Sequence, residues 1–145
     1  MGFDIFTPYL ITILLAWLSA HIIKFVISLK NNEKQTLRSY LFISGGMPSA
    51  HSATVVAMTT MIGLKLGFGS GLFGLAALFA MITMYDALKV RRSSGEQGQA
   101  IRQLIKATKC DIDLPRVSKG HTPLEVVLGA VLGLLIGLVV FLSTT

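Results

Sequence analysis

Residues 45–92 read GGMPSAHSATVVAMTTMIGLKLGFGSGLFGLAALFAMITMYDALKVRR, with two apolar runs, Ala53–Leu66 and Leu72–Tyr85, on either side of Gly67-Phe68-Gly69-Ser70-Gly71. Three glycines in five residues make a tight reversal, so the runs are the arms of a helical hairpin. Neither arm alone has the roughly 20 residues that a helix needs to cross a ~30 Å hydrocarbon layer. Each becomes long enough only if its polar far end, Ser49–Ser52 or Asp86–Arg92, is helical as well. Both polar ends then lie on the same side of a membrane, at or just below the interface.

Working outward, one apolar run precedes this hairpin and another follows it. The reading is an all-α, integral membrane four-helix bundle, a single domain over residues 1–145, with spans near 8–29, 49–66, 72–90 and 122–142. The composition agrees: 52% of residues are hydrophobic and 14% charged, against about a quarter charged in soluble domains. Residues facing lipid cannot carry charge. The opening MGFDIFTPYL lacks a basic leader region, so the first span is expected to be retained. Cys110 is the only cysteine, which excludes an intrachain disulfide.

Counting crossings puts the end of span one, the start of span two, the end of span three and the start of span four on one face. Of the 13 Lys and Arg residues, all but Lys65 fall on that face. The positive-inside rule then makes the loops 30–47 and 90–120 cytoplasmic. The net charge of +6 is read as topology, anionic headgroups or a phosphate substrate, with no nucleic acid partner. Ile101, Leu104, Ile105 and Thr108 share one helical face opposite Arg102, Lys106 and Lys109, which fits a short helix over 95–109 lying in the interface or over the loop.

Three polar segments meet on the charged face. In Gly45-Gly46-Met47-Pro48-Ser49-Ala50-His51, paired glycines open the backbone to an anion, and the helix start places His51 in the first turn. An ordinary capped helix with an interfacial histidine explains the same residues. In Gly120-His121-Thr122-Pro123-Leu124-Glu125, Thr122, Pro123 and Glu125 form a capping box that leaves His121 unexplained. Glu125, four residues on, is near enough to orient that imidazole. In Tyr85-Asp86-Ala87-Leu88-Lys89-Val90-Arg91-Arg92, the arginines suit phosphate oxygens or a basic membrane flank. Asp86 closes an apolar run where a carboxylate is costly, and either an arginine or a divalent metal would satisfy it. Lys24 sits just inside the end of span one, either snorkelling or turned to phosphate. Gly129, Gly133 and Gly137 repeat every four residues, a close-packing face and a candidate homo-oligomer contact.

These residues resemble the divergent branch of the type 2 phosphatidic-acid phosphatase superfamily, relatives of the vanadium haloperoxidases. The family's Pro-Ser-Gly-His is matched by Pro48-Ser49-Ala50-His51, and its His-x-x-x-Asp by His121-Thr122-Pro123-Leu124-Glu125. The chain departs from the pattern in three places. It lacks the first motif's Lys-x6-Arg-Pro, separates Arg91 from His121, and has four spans where membrane members commonly have six. The resemblance implies a catalytic core in which His121 attacks phosphorus, Glu125 orients it, and His51 serves as acid and then base. It also implies that Lys24, Gly45, Gly46, Ser49 and Arg91 or Arg92 hold the phosphate, with no cofactor required. The implied partners are membrane lipids and a lipid phosphate substrate. A non-catalytic lipid-phosphate binder or translocator on the same core is the alternative.

Overall fold

The computed structural model describes residues 8–30, 46–109, 112–115, 117 and 120–144. The helices are α1 (Pro8–Lys30), α2 (Ala50–Leu66), α3 (Gly71–Tyr85), a π-helical turn (Asp86–Val90), α4 (Arg91–Thr108) and α5 (Pro123–Ser143). No strand occurs among the described residues. Three stretches are long and apolar enough to cross a membrane: α1, the run Gly71–Thr108 and α5. At 17 residues α2 is shorter, yet it is the central helix, with α1, α3 and α5 all packed on it.

Local chemistry sets the boundaries. Ser49 caps α2, its Oγ accepting the Ser52 N–H at 3.4 Å, and Ser70 caps α3 by accepting from Phe73 N–H at 3.2 Å. Between them α2 ends at Gly67, whose φ of +87° is open to glycine and costly for other residues. Phe68 and Phe73 close the hairpin edge-to-face at 5.1 Å. Span three does not stop at residue 90: α3 runs through the π turn into α4 without a break. The short helix expected over 95–109 falls within α4, which continues from α3 through the π turn.

Packing is inverted relative to a soluble protein. Most buried apolar positions are small, Ala16, Ala20, Ala50, Ala53, Ala57, Ala80 and Ala87, with Met61, Ile62, Val126 and Val140 the larger ones. Most large side chains, among them Leu72, Leu75, Phe79, Ile82, Leu134 and Leu138, lie on the outside. Lipid tails solvate leucine as well as a protein core does, so helices associate where small residues let backbones approach. The closest approach is between α2 and α5. A Cβ on Gly129 would run into the Ser49 carbonyl, one on Gly133 into the Ala53 carbonyl, and one on Gly137 would lie 2.8 Å from the Ala57 carbonyl. The Gly129/Gly133/Gly137 face, expected as a candidate homo-oligomer contact, is covered by α2 within the chain. Helix periodicity identifies a close-packing stripe but not its occupant, and here the occupant is α2 of the same chain.

Candidate active site at the charged end of the bundle

The site begins at the head of α5. Thr122 Oγ1 accepts the Glu125 N–H at 3.3 Å, and Glu125 Oε2 accepts the Thr122 N–H at 3.0 Å, completing the capping box. The same Oε2 lies 3.0 Å from His121 Nδ1. A carboxylate only accepts, so Nδ1 carries the proton and the Nε2 lone pair is left free. His121 is 2% exposed. Burial pushes its pKa below the ordinary histidine value; the Glu125 hydrogen bond opposes this, and the charges of Lys24 and Arg91 add to it.

Two backbone bonds tie this head to its neighbours. Ser49 N–H donates to the Glu125 carbonyl at 2.9 Å, locking the start of α2 to the start of α5. His121 N–H donates to the Ala87 carbonyl at 3.1 Å. In an unbroken α-helix that carbonyl would receive the Arg91 N–H. The π turn moves the Arg91 N–H to the Asp86 carbonyl and so releases Ala87 to hold His121. Motif reading missed this contact. The π turn also sets Arg91 Nε 2.7 Å from Asp86 Oδ2, a pairing five residues apart. Short π segments are often found at functional sites.

Helices α1 and α2, the π turn, α4 and the head of α5 contribute charged or titratable groups within electrostatic reach of one another. His51, exposed in the first turn of α2, is reached by Arg91, His121, Lys24 and Asp86. Lys24, half-buried on α1, interacts with Glu125. The structure thus brings Lys24, His51, Asp86, Arg91, His121 and Glu125 to one place.

Other candidates lie elsewhere. Arg92 is turned to Glu96 at 3.1 Å and lines an open groove of about 470 Å³ with Leu88, Lys89, Ser93, Glu96 and Pro123. Its backbone abuts Gly120, where a Cβ would lie 2.5 Å from Arg92 Cα. Ser49 is fully buried, and its Oγ is engaged by the Ser52 N–H and by Ser52 Oγ at 3.0 Å. Its Oγ thus acts within the first turn of α2, while its backbone N–H makes the link to α5. Gly46 is exposed at φ +83°, while Gly45 and Cys110 lie outside the described residues. The Asp86 carboxylate is paired with Arg91, and the described residues bring no three His, Cys, Asp or Glu side chains together as metal ligands.

The arrangement offers an oriented imidazole with a free nitrogen, a second histidine, and two cations each partnered by a carboxylate. That inventory suits transfer of a phosphoryl group better than simple anion binding, which needs cations but no tautomer control.

Comparison with known proteins bears on the same residues. The chain is 40% identical over 111 residues to the uncharacterized membrane protein YuiD of Bacillus subtilis (strain 168), which covers 66% of this chain and 70% of that protein. No solved structure matches the chain. The family described as divergent PAP2 matches residues 6–136, a stretch that includes Lys24, His51, Arg91, His121 and Glu125, and the chain belongs to that family.

Proposed function

We propose that this membrane protein is a phosphatase that hydrolyses a lipid phosphate, phosphatidate-like, phosphatidylglycerol-phosphate-like or isoprenyl, through a phosphohistidine. The observation that carries the reading is the buried His121, held through Nδ1 by Glu125 at 3.0 Å within reach of Lys24, Arg91 and His51. In the first step His121 Nε2 attacks phosphorus, a P–N bond forms, and the P–O bond to the lipid breaks. His51, protonated, gives its proton to the departing alkoxide. In the second step water attacks the phosphohistidine and His51 takes its proton. The P–N bond breaks, inorganic phosphate leaves, and His121 regains its neutral form. Lys24 and Arg91 offset the charge on the equatorial oxygens. Glu125 stabilises the cationic character that His121 acquires on bonding phosphorus.

The interfacial position of these residues favours a substrate whose headgroup enters while its chains stay in lipid. Phosphate release from purified protein in nanodiscs tests this, comparing a long-chain phosphatidate with glycerol phosphate. Much faster release from the lipid is expected, with inhibition by vanadate as a pentacoordinate mimic. Equal rates on the two substrates would overturn the lipid assignment. Lipid binding without any phosphate release would favour the non-catalytic binder.

A further inference from the structure

We propose that Asp86 is a positioning residue of the phosphate site: through the π turn it holds Arg91 by Nε and leaves the outer edge of the guanidinium for phosphoryl oxygens. The proposal rests on the phosphatase reading for what Arg91 binds, and on the geometry alone for how Arg91 is held.

In an α-helix, residues five apart lie about 140° apart around the axis, so an aspartate and an arginine at that separation face different ways. The π turn over Asp86–Val90 brings the two side chains together, with Nε and Oδ2 at 2.7 Å. The bond uses one of the five N–H donors of a guanidinium and leaves the four on its terminal nitrogens. Lysine, a point charge on a flexible stem, cannot be held at one atom and present a fork with others.

The two side chains are 38% and 37% exposed, and an ion pair that accessible adds little to stability. A turn that departs from α geometry is therefore not explained by the strength of this pair. What the turn does achieve is positional. It aims Arg91, whose charge reaches both histidines, and it frees the Ala87 carbonyl to hold the His121 backbone at 3.1 Å. One local distortion thus places a phosphate ligand and the nucleophile together.

The opposite role for the same pair would be competition, with Asp86 occupying Arg91 until phosphate displaces it. The two roles differ in sign. Under positioning, Asp86→Asn weakens binding of the phosphate mimic; under competition it strengthens it.

The experiment uses the full chain in nanodiscs and orthovanadate as the probe, with binding measured by calorimetry and turnover on phosphatidate measured alongside. Asp86→Asn is expected to weaken vanadate binding about ten-fold, as the ion pair that fixes Arg91 is reduced to a weaker hydrogen bond to an uncharged acceptor. In an Arg91→Ala background the same change is expected to have no further effect, because Asp86 acts only through Arg91. Independently of any ligand, the Arg91 Nε–H proton, assigned by its loss in Arg91→Ala, is expected to exchange slowly with water in the wild type and fast in Asp86→Asn. Unchanged or tighter vanadate binding in Asp86→Asn would overturn the proposal, as would a loss that persists undiminished without Arg91. A wild type that neither binds vanadate nor releases phosphate refutes the phosphatase reading instead. The Arg91 signal then decides by itself whether Asp86 holds the guanidinium.

Discussion

Replacing Glu125 with glutamine separates the chemistry of the α5 head from its architecture. A single oxygen, Oε2, serves both His121 Nδ1 and the Thr122 N–H, each at 3.0 Å. Glutamine keeps a carbonyl oxygen of the same reach and is an accepted member of the capping box. The fold should therefore change in stability by less than about 1 kcal/mol. What disappears is a full negative charge opposite an imidazole that becomes cationic as its far nitrogen bonds phosphorus. At roughly 5 Å and an effective dielectric of about 20, that charge contributes about 3 kcal/mol. At ~1.4 kcal/mol per decade this is a fall in turnover on the order of a hundred-fold. Phosphate release gives kcat, and thermal unfolding in detergent gives the stability. Glu125→Ala, which removes the cap as well, should lose both activity and about 1 kcal/mol of stability. Wild-type turnover in Glu125→Gln would refute the reasoning, since the carboxylate would then be a cap and nothing more.

Three further outcomes follow from the same geometry. Gly133→Ala drives a methyl group into the Ala53 carbonyl and should cost about 1–3 kcal/mol by overpacking, read as a lower Tm, whereas Gly74→Ala, with nothing within 4 Å, should not lower it. Burial holds His121 below the ordinary histidine pKa, and its neutral form is the nucleophile. The acid limb of kcat/KM should therefore lie below pH ~6.5, with activity lost along it as protons bind His121. Glu125→Gln removes interactions that raise the His121 pKa and should move that limb further to acid. The positive-inside rule, applied to the charge distribution, predicts that loops 30–47 and 90–120 are cytoplasmic. On a Cys110→Ser background, Thr145→Cys should label in intact cells, and labelling only after permeabilisation would reverse the orientation.

The parts legible in sequence were those with local causes. The capping box at Thr122–Glu125 follows from residue types at fixed spacing, and the reversal at Gly67–Gly71 from backbone freedom. The apolar runs showed where helices lie because hydrophobicity alone sets that. The π turn left no comparable mark, because it depends on a trade made in three dimensions: Ala87 gives up its helical partner and gains the His121 N–H. Arg91 and Arg92 are adjacent and chemically alike in sequence, and only that turn separates the one facing the histidines from the one paired with Glu96. Ser49 carried the signature of both a cap and an anion contact, and burial under α5 assigns it to the cap. An aspartate five residues before an arginine at the end of an apolar run is the one sequence clue that such a turn was present.

The central claim, that His121 takes up the phosphoryl group, is tested most directly by trapping it. A ³²P-labelled nitrophenyl phosphate bearing an alkyl chain, whose phenolate departs without a proton from His51, is mixed with the purified protein, and the chain is then denatured in base, which preserves phosphohistidine. His51→Ala should accumulate the label, because water attack on the intermediate lacks its base. His121→Ala should carry none and release no phosphate. Full turnover in His121→Ala, or an equal amount of base-stable label in that variant, would contradict the account.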